Sequence, residues 1–295
     1  MGDNDQLRRF LFEDLPVRGQ FVRLDASWRA IIEHQDYPSL AVQTLGEAMA
    51  ASVLMAGTLK FEGRLLLQCQ GQGPLRLLLA ECTHARAIRG VARLAGACPE
   101  SASLDLLTGG GQLSLTIENP ERDQRYQGVV PMEQAQLAGC LEAYFERSEQ
   151  LPSRLMLAAT RTRAAGLLLQ RIPAGEEGEE PTAEAWERLG LLLATLTAEE
   201  LLHQPCEVIL HRLFNEDDLR LFEGEPVFFQ CACSRERVEG ILQSLGTVEV
   251  EAVLAEQGRV EVRCEFCNRA WTFDAVDVGR VMAAAPATSQ GAGPH

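Results

Sequence analysis

The chain has 295 residues, 46% of them apolar and 23% charged, the balance of a soluble globular protein large enough to build a sizeable core without disulfide staples. A net charge of −15 argues against a general binder of nucleic acid or anionic membranes. No stretch reads as the roughly 18 apolar residues of a membrane span, and the charged N-terminus lacks the apolar segment of a signal peptide, so the expected compartment is the cytoplasm, where thiols stay reduced.

Apolar spacing predicts helices over 25–35 and 38–59. Residues 63–82 read as two strands about a Gly-Gln-Gly-Pro turn, and 111–130 as a hairpin in which Leu113, Leu115 and Ile117 alternate before an Asn-Pro turn. The glycines of 108–112 read as a turn, not a phosphate cradle, and no nucleotide-binding fingerprint is present. A helix is expected over 133–150, closed by Pro152, and a further hairpin over 154–172. Hairpins interspersed with helices give an α+β core of antiparallel sheets.

Residues 173–181 combine turn formers with like charges and read as a linker. Between positions 174 and 226 stand 14 Asp or Glu residues against three Arg. Short helices are expected there: Thr197 and Glu200 form a T-x-x-E capping box, Pro205 suits a first helical turn, and Asn215 can cap a helix over 216–222. Leu191, Leu192, Leu202, Ile209, Leu210, Leu213 and Phe214 supply apolar faces. Helices this short are marginal in water and depend on docking, so 175–230 is expected to be a metastable, conditionally ordered linker. A core domain is expected over 1–174.

The last segment carries the chemistry. Cys231 and Cys233 form a C-x-C pair, Cys264 and Cys267 a C-x-x-C pair, about thirty residues apart. A helix over 234–246 and a strand–turn–strand over 259–273 separate and carry them. Two such pairs can complete a tetrahedral zinc site of four cysteine thiolates, one ion per chain, and a small domain over 231–282 would draw much of its folding energy from the metal. Residues 283–295 read as a disordered tail. The zinc site is either an inert staple or a redox switch, because oxidised thiols cannot hold zinc and the members of each pair are close enough to oxidise to one another. The remaining cysteines (69, 82, 98, 140, 206) sit singly in apolar surroundings and read as buried, reduced residues. His34, His84, His203 and His211 are scattered and take no expected role.

Taken together, "DQLRRFLFE", "LKFEG", "GQGP", "RGVARL", "RYQGVV", "YFERSEQLPSRL", "AAGLLLQ", "CACSRERV" and "CEFCNRAW" occur in an order that resembles a bacterial redox-regulated chaperone family, the thirty-three-kilodalton heat-shock protein, over most of the chain. That resemblance implies an ATP-independent holdase and not an enzyme. It would be silent when reduced with zinc on Cys231, Cys233, Cys264 and Cys267. Oxidative stress would form Cys231–Cys233 and Cys264–Cys267 disulfides, release zinc and unfold the linker. The partners implied are unfolding or oxidatively damaged client proteins and, on activation, a second copy of the chain; no nucleic acid or membrane is implied. Tyr144, Ser148, Glu149 and Gln150 match a family motif of unassigned role. Two other classes remain as alternatives: a thiol-disulfide oxidoreductase working through Cys264 and Cys267, and a zinc-ribbon nucleic-acid module.

Overall fold

The computed structural model describes residues 3–119, 122–173 and 183–284, so most of the expected linker stretch 173–181 and of the expected tail 283–295 lies outside the described residues. The chain divides into two compact units, with the boundary between Gln230 and Cys231. The class is α+β, as expected.

In the first unit, one sheet is built from β1 (Gln6–Phe12), β2 (Val17–Leu24), β8 (Ser153–Ala159), β9 (Ala164–Arg171) and β10 (Leu219–Leu221), in the order β10-β1-β2-β9-β8, with β11 (Glu225–Pro226) also on β1. A second contains β3 (Arg64–Gln70), β4 (Leu75–Thr83), β5 (Ala87–Leu94), β6 (Gln112–Asn119), β7 (Gln124–Pro131) and β12 (Phe228–Phe229), in the order β12-β5-β4-β3-β6-β7. Among the described residues all strand pairings are antiparallel except β12 on β5. The hairpins expected over 63–82, 111–130 and 154–172 are β3–β4, β6–β7 and β8–β9.

Helix α1 (Ala26–Ile32) precedes α2 (Ser39–Thr58), which packs on both sheets and shares one apolar cluster with them. By length and composition α2 could cross a membrane, contrary to the expectation that no segment would; 78% of its most apolar 18-residue window is instead buried inside the protein. A helix apolar around its whole circumference must be a membrane span or a core helix, and burial on this scale makes it the latter. Gly19 of β2 lies opposite Phe10 of β1, where a Cβ would come within 2.0 Å of the Phe10 ring. Only glycine leaves that ring room to lie across the strand.

The expected single helix over 133–150 is α4 (Leu137–Tyr144) followed by a π-helical turn, Phe145–Glu149. Helix α3 (Leu104–Thr108), and strands β1, β2 and β5, had no counterpart in the sequence reading. Gly109 and Gly110, both at positive φ, end α3 in the turn expected there.

The other face of the first sheet carries α5 (Ala183–Ala194), α6 (Ala198–His203) and α7 (Cys206–Phe214). Leu202, Ile209, Leu210, Leu213 and Phe214 are all buried in one cluster with Phe10, Phe12, Phe21, Leu167 and Leu169 of the sheet. Leu191 stands outside it, 65% exposed. Polar ties reinforce the docking. The buried Arg23 guanidinium donates to the carbonyls of Leu201 (3.0 Å) and Gln204, Arg163 donates to that of Leu202 (3.3 Å), and the Cys206 N–H donates to Asp3 (2.7 Å). These cations meet the otherwise unpaired carbonyls at the end of α6, where the helix dipole also favours positive charge.

The capping box at Thr197 and Glu200 is present with both reciprocal bonds. Thr197→Ala is expected to cost about 1 kcal/mol, read as faster amide exchange over 198–214 with the strands unchanged. Two expectations need correction. Pro205 is the N-cap of α7, one residue before the first turn, and Asn215 closes α7 at its C-terminus instead of starting a helix. The segment after it is β10, because residues 219–221 can bond the open edge of β1 while Leu219 and Leu221 pack against the second cluster. A lone short helix has no such compensation for its nucleation cost.

In the second unit, α8 (Arg235–Leu245) and α9 (Thr247–Gln257) precede the hairpin β13 (Val260–Arg263) and β14 (Ala270–Phe273), followed by α10 (Ala275–Ala283). Gly246, at φ 91°, ends α8 as expected; α9 and α10 were not foreseen. The core of this unit is small: Val238, Leu242, Val250, Val260, Phe273, Val278 and Val281.

Candidate metal centre

Cys231 and Cys233 lie in the irregular segment leading into α8. Ser234 caps that helix by accepting from the Arg237 N–H (3.3 Å), and Arg237 in turn donates to the Ala232 carbonyl between the two cysteines (2.8 Å). The helix start therefore holds the first pair in place. Cys264 and Cys267 occupy the turn joining β13 to β14. The Asn268 N–H bonds the Cys264 carbonyl at 2.7 Å, the Cys264 N–H bonds the Arg269 carbonyl at 3.0 Å, and Asn268 takes the positive φ that closes the turn.

The four sulfurs converge, every one within 4.8 Å of the others. The Cys231–Cys264 sulfurs are 3.6 Å apart and the Cys233–Cys267 sulfurs 3.4 Å. A tetrahedral ion with metal–sulfur bonds of about 2.3 Å separates its sulfurs by about 3.8 Å. The cluster thus has the dimensions of a metal site, whereas a disulfide would need about 2.05 Å. Burial and the neighbouring sulfurs push the Cys231 and Cys233 thiols up. Burial also opposes ionisation of Cys264, but backbone N–H groups of Cys267 and Phe266, together with the Cys231 and Cys267 thiols, outweigh it and draw that thiol down. Such N–H···S contacts are the usual outer support of a metal thiolate.

Four converging thiols suit zinc or another thiophilic ion, and the residues present fit the group. They do not reproduce a dithiol oxidoreductase. There the attacking cysteine is activated at a helix N-terminus, whereas Cys264 and Cys267 sit between two short strands.

The other cysteines are placed differently. Cys69, Cys82, Cys140 and Cys206 are buried and Cys98 is partly exposed. Burial pushes the Cys69 and Cys82 thiols up to about 12, which leaves them protonated and unreactive. Of the motif at 144–150, Tyr144 and Glu149 are brought together: the buried Tyr144 hydroxyl donates to the Glu149 carboxylate at 2.8 Å, and Tyr126 reaches the same oxygen at 3.3 Å. Burial first, and then Glu149, push the Tyr144 hydroxyl up. Ser148 and Gln150 are exposed, and Gln150 closes the π-helical turn at φ 55°. Asp3, Arg23 and Arg163, which tie the acidic helices down, were not foreseen. Nothing in the sequence marks a pairing across that much chain.

A family model described as Hsp33 protein matches residues 5–274. The chain is 48% identical over 292 residues to a 33 kDa chaperonin of Nitrosococcus oceani, covering 98% of this chain and 99% of that one. It is 46% identical over 285 residues to a 33 kDa chaperonin of Ectopseudomonas mendocina, covering 96% of each. A crystal structure of a 33 kDa chaperonin from Thermotoga maritima superposes with a TM-score of 0.81, covering 95% of this chain and 98% of that one at 22% identity. At that identity the structure shows a shared fold.

Proposed function

The chain belongs to the Hsp33 protein family, a family of chaperones and not enzymes, and from that premise we propose a redox-switched, ATP-independent holdase. The observation that carries the redox part is the convergence of Cys231, Cys233, Cys264 and Cys267 in a unit whose buried core, among the described residues, is seven side chains. Zinc, one ion per chain, would cross-link the segment before α8 to the β13–β14 turn and supply folding energy that so small a core lacks.

The chain's own part in the switch follows from its thiols. Peroxide takes two electrons from each pair of thiols, forms one S–S bond and leaves as two molecules of water. A disulfide no longer offers the thiolates the ion requires. Two of the close sulfur pairs span the two motifs, but that proximity belongs to the folded cluster. Once the unit loosens, only partners close in sequence stay close in space, because loop closure favours short loops. Cys231–Cys233 and Cys264–Cys267 are then the expected disulfides.

The response proposed for the first unit is release of 183–214 from the sheet. That exposes the apolar faces of α5, α6 and α7 with those of Phe10, Phe12 and Phe21 to unfolding or oxidatively damaged clients, while the acidic charge of 174–226 keeps the complex soluble. In this reading 175–230 acts as a linker between a core (1–174) and a zinc domain (231–282). The activated form pairs with a second copy, and the protein works in the cytoplasm without nucleic acid or membrane.

The test is light scattering by a thermally unfolding client, with reduced zinc-loaded protein and with protein treated with peroxide at a mildly unfolding temperature. Suppression is expected only after oxidation, is reversed by thiol reductant with zinc, and is indifferent to ATP. Equal suppression by the reduced form sinks the redox claim; no suppression by either form sinks the holdase claim.

A further inference from the structure

Strand β8 ends the first sheet, and its outer edge is unpaired within that sheet. The pairs that bracket it, Pro152–Arg171 and Thr160–Arg163, are hydrogen-bonded at 2.9 Å and 2.8 Å. By the alternation of an antiparallel ladder, Arg154, Met156 and Ala158 bond β9, while Leu155, Leu157 and Ala159 direct their N–H and C=O groups outward. The Leu155 N–H is met by the Glu142 carboxylate at 2.7 Å. The N–H and C=O of Leu157 and Ala159 take no hydrogen-bond partner among the described residues.

This edge does not face open solvent. It lines a groove of about 720 Å³, bounded by Gln43 and Glu47 of α2, Glu199 and Leu202 of α6, and Leu104 and Leu137. Leu155 and Leu157 are themselves nearly buried. The charged residues lining the groove are both carboxylates, Glu47 and Glu199, with no lysine or arginine beside them in the lining. Burial pushes the Glu47 carboxyl up to about 7, against a hydrogen bond from Gln43; a neighbouring cation would favour its ionised form.

We propose that this groove receives an extended, apolar segment of a non-native polypeptide carrying a basic residue, added as a further strand on the β8 edge. Main-chain hydrogen bonds to Leu157 and Ala159 supply affinity without regard to client sequence, as in other strand-addition complexes. Side chains on one face of the added strand meet Leu202 and Glu199, and those on the other meet Glu47. The span from Leu155 to Ala159 is about 13 Å, so with α6 docked only a short stretch fits. Longer stretches need α6 to leave, which is how the inference rests on the chaperone reading above.

The probe is a fluorescein-labelled apolar peptide with one central arginine, titrated by anisotropy into the reduced, zinc-loaded full chain. Two N-methylated forms of the peptide carry their methyl groups on opposite edges. Methylation of the edge that bonds β8 is expected to weaken binding about tenfold or more, and methylation of the other edge to leave it unchanged. Ala159→Pro, which removes an outward donor and leaves the β8–β9 ladder whole, is expected to weaken binding similarly. Glu47→Gln is expected to weaken the arginine peptide several-fold and not its norleucine counterpart. Equal effects of the two methylation patterns, or no binding of the parent peptide, overturn the proposal, and this comparison uses the unaltered protein. A protein that suppresses client aggregation after oxidation yet binds neither peptide pattern selectively keeps the chaperone reading and loses the groove.

Discussion

Cys264→Ser is expected to abolish stoichiometric zinc binding and to unfold the second unit, while the two sheets of the first unit keep their stability. The expectation rests on how little else holds residues 231–284. Their buried apolar set is Val238, Leu242, Val250, Val260, Phe273, Val278 and Val281, and a core that small rarely supplies more than about 3–5 kcal/mol. Bound structural zinc contributes an apparent 10–16 kcal/mol or so in comparable small modules, so losing one of four ligands removes the larger share of the stabilisation. Cys264 is the informative choice because its own N–H and C=O also close the β13–β14 turn. Serine keeps those backbone bonds, and any unfolding reports the missing sulfur. Zinc analysis of protein purified under reducing conditions should fall from about one equivalent to well below it. Amide exchange over 235–283 should approach the unprotected rate with no change in β3, β4 or β9. A variant that keeps one equivalent of zinc, or a wild-type protein that never carries it, rejects the assignment of this cluster as the zinc site.

Leu210→Gly should loosen α5–α7 from the first sheet without oxidation and give partial chaperone activity in reduced, zinc-loaded protein. Leu210 is buried, among Ile209, Leu213 and Phe214 of the same helix and the phenylalanines of β1 and β2. Truncating a packed leucine costs about 2–5 kcal/mol, and glycine within a helix adds roughly 1 kcal/mol. Against this stand the polar ties from Arg23, Arg163 and Asp3 to α6 and the start of α7, each worth about 1–3 kcal/mol at most in such charged hydrogen bonds. They fasten the backbone near 201–206 but do nothing to refill the space beneath Leu210. The expected signature is faster amide exchange over 183–222, with the strands of both sheets protected as before. If exchange reports an undocked segment and the variant still fails to suppress aggregation, release of these helices is not the activating event.

The candidate site was legible because metal ligands come as local pairs. Two cysteines separated by one residue, and two separated by two, declare themselves within a few positions. The distance between the pairs in sequence does not matter once each pair is recognised. Capping at Thr197 and Glu200 is equally local, and so are the hairpins over 63–82, 111–130 and 154–172, whose turn residues and apolar runs lie within a single window, with clear alternation only in 111–130. The motif at 144–150 was visible as a cluster of polar residues, but its geometry was not. The Tyr144–Glu149 hydrogen bond depends on a π-helical turn, which leaves no clear mark in composition.

By itself, then, the sequence determined the four thiols, the long apolar helix α2, three hairpins and the acidic character of 174–226, all of them properties of neighbours along the chain. Only the tertiary structure decided the rest. Strand β1 places Leu7 in one apolar cluster and Phe10 and Phe12 in the other, around exposed or half-buried arginines, so no simple alternation announces it. Residues 219–221 became a strand because an open edge of β1 was there to receive them, more than two hundred residues earlier in the chain. The short acidic helices became ordered because a sheet face of phenylalanines and leucines covers their apolar sides. A short segment's own propensity is worth only tenths of a kcal/mol per residue, whereas burial of a single large side chain is worth about 1.5–3 kcal/mol. Where the two disagree, the surface a segment meets in the folded chain sets its structure.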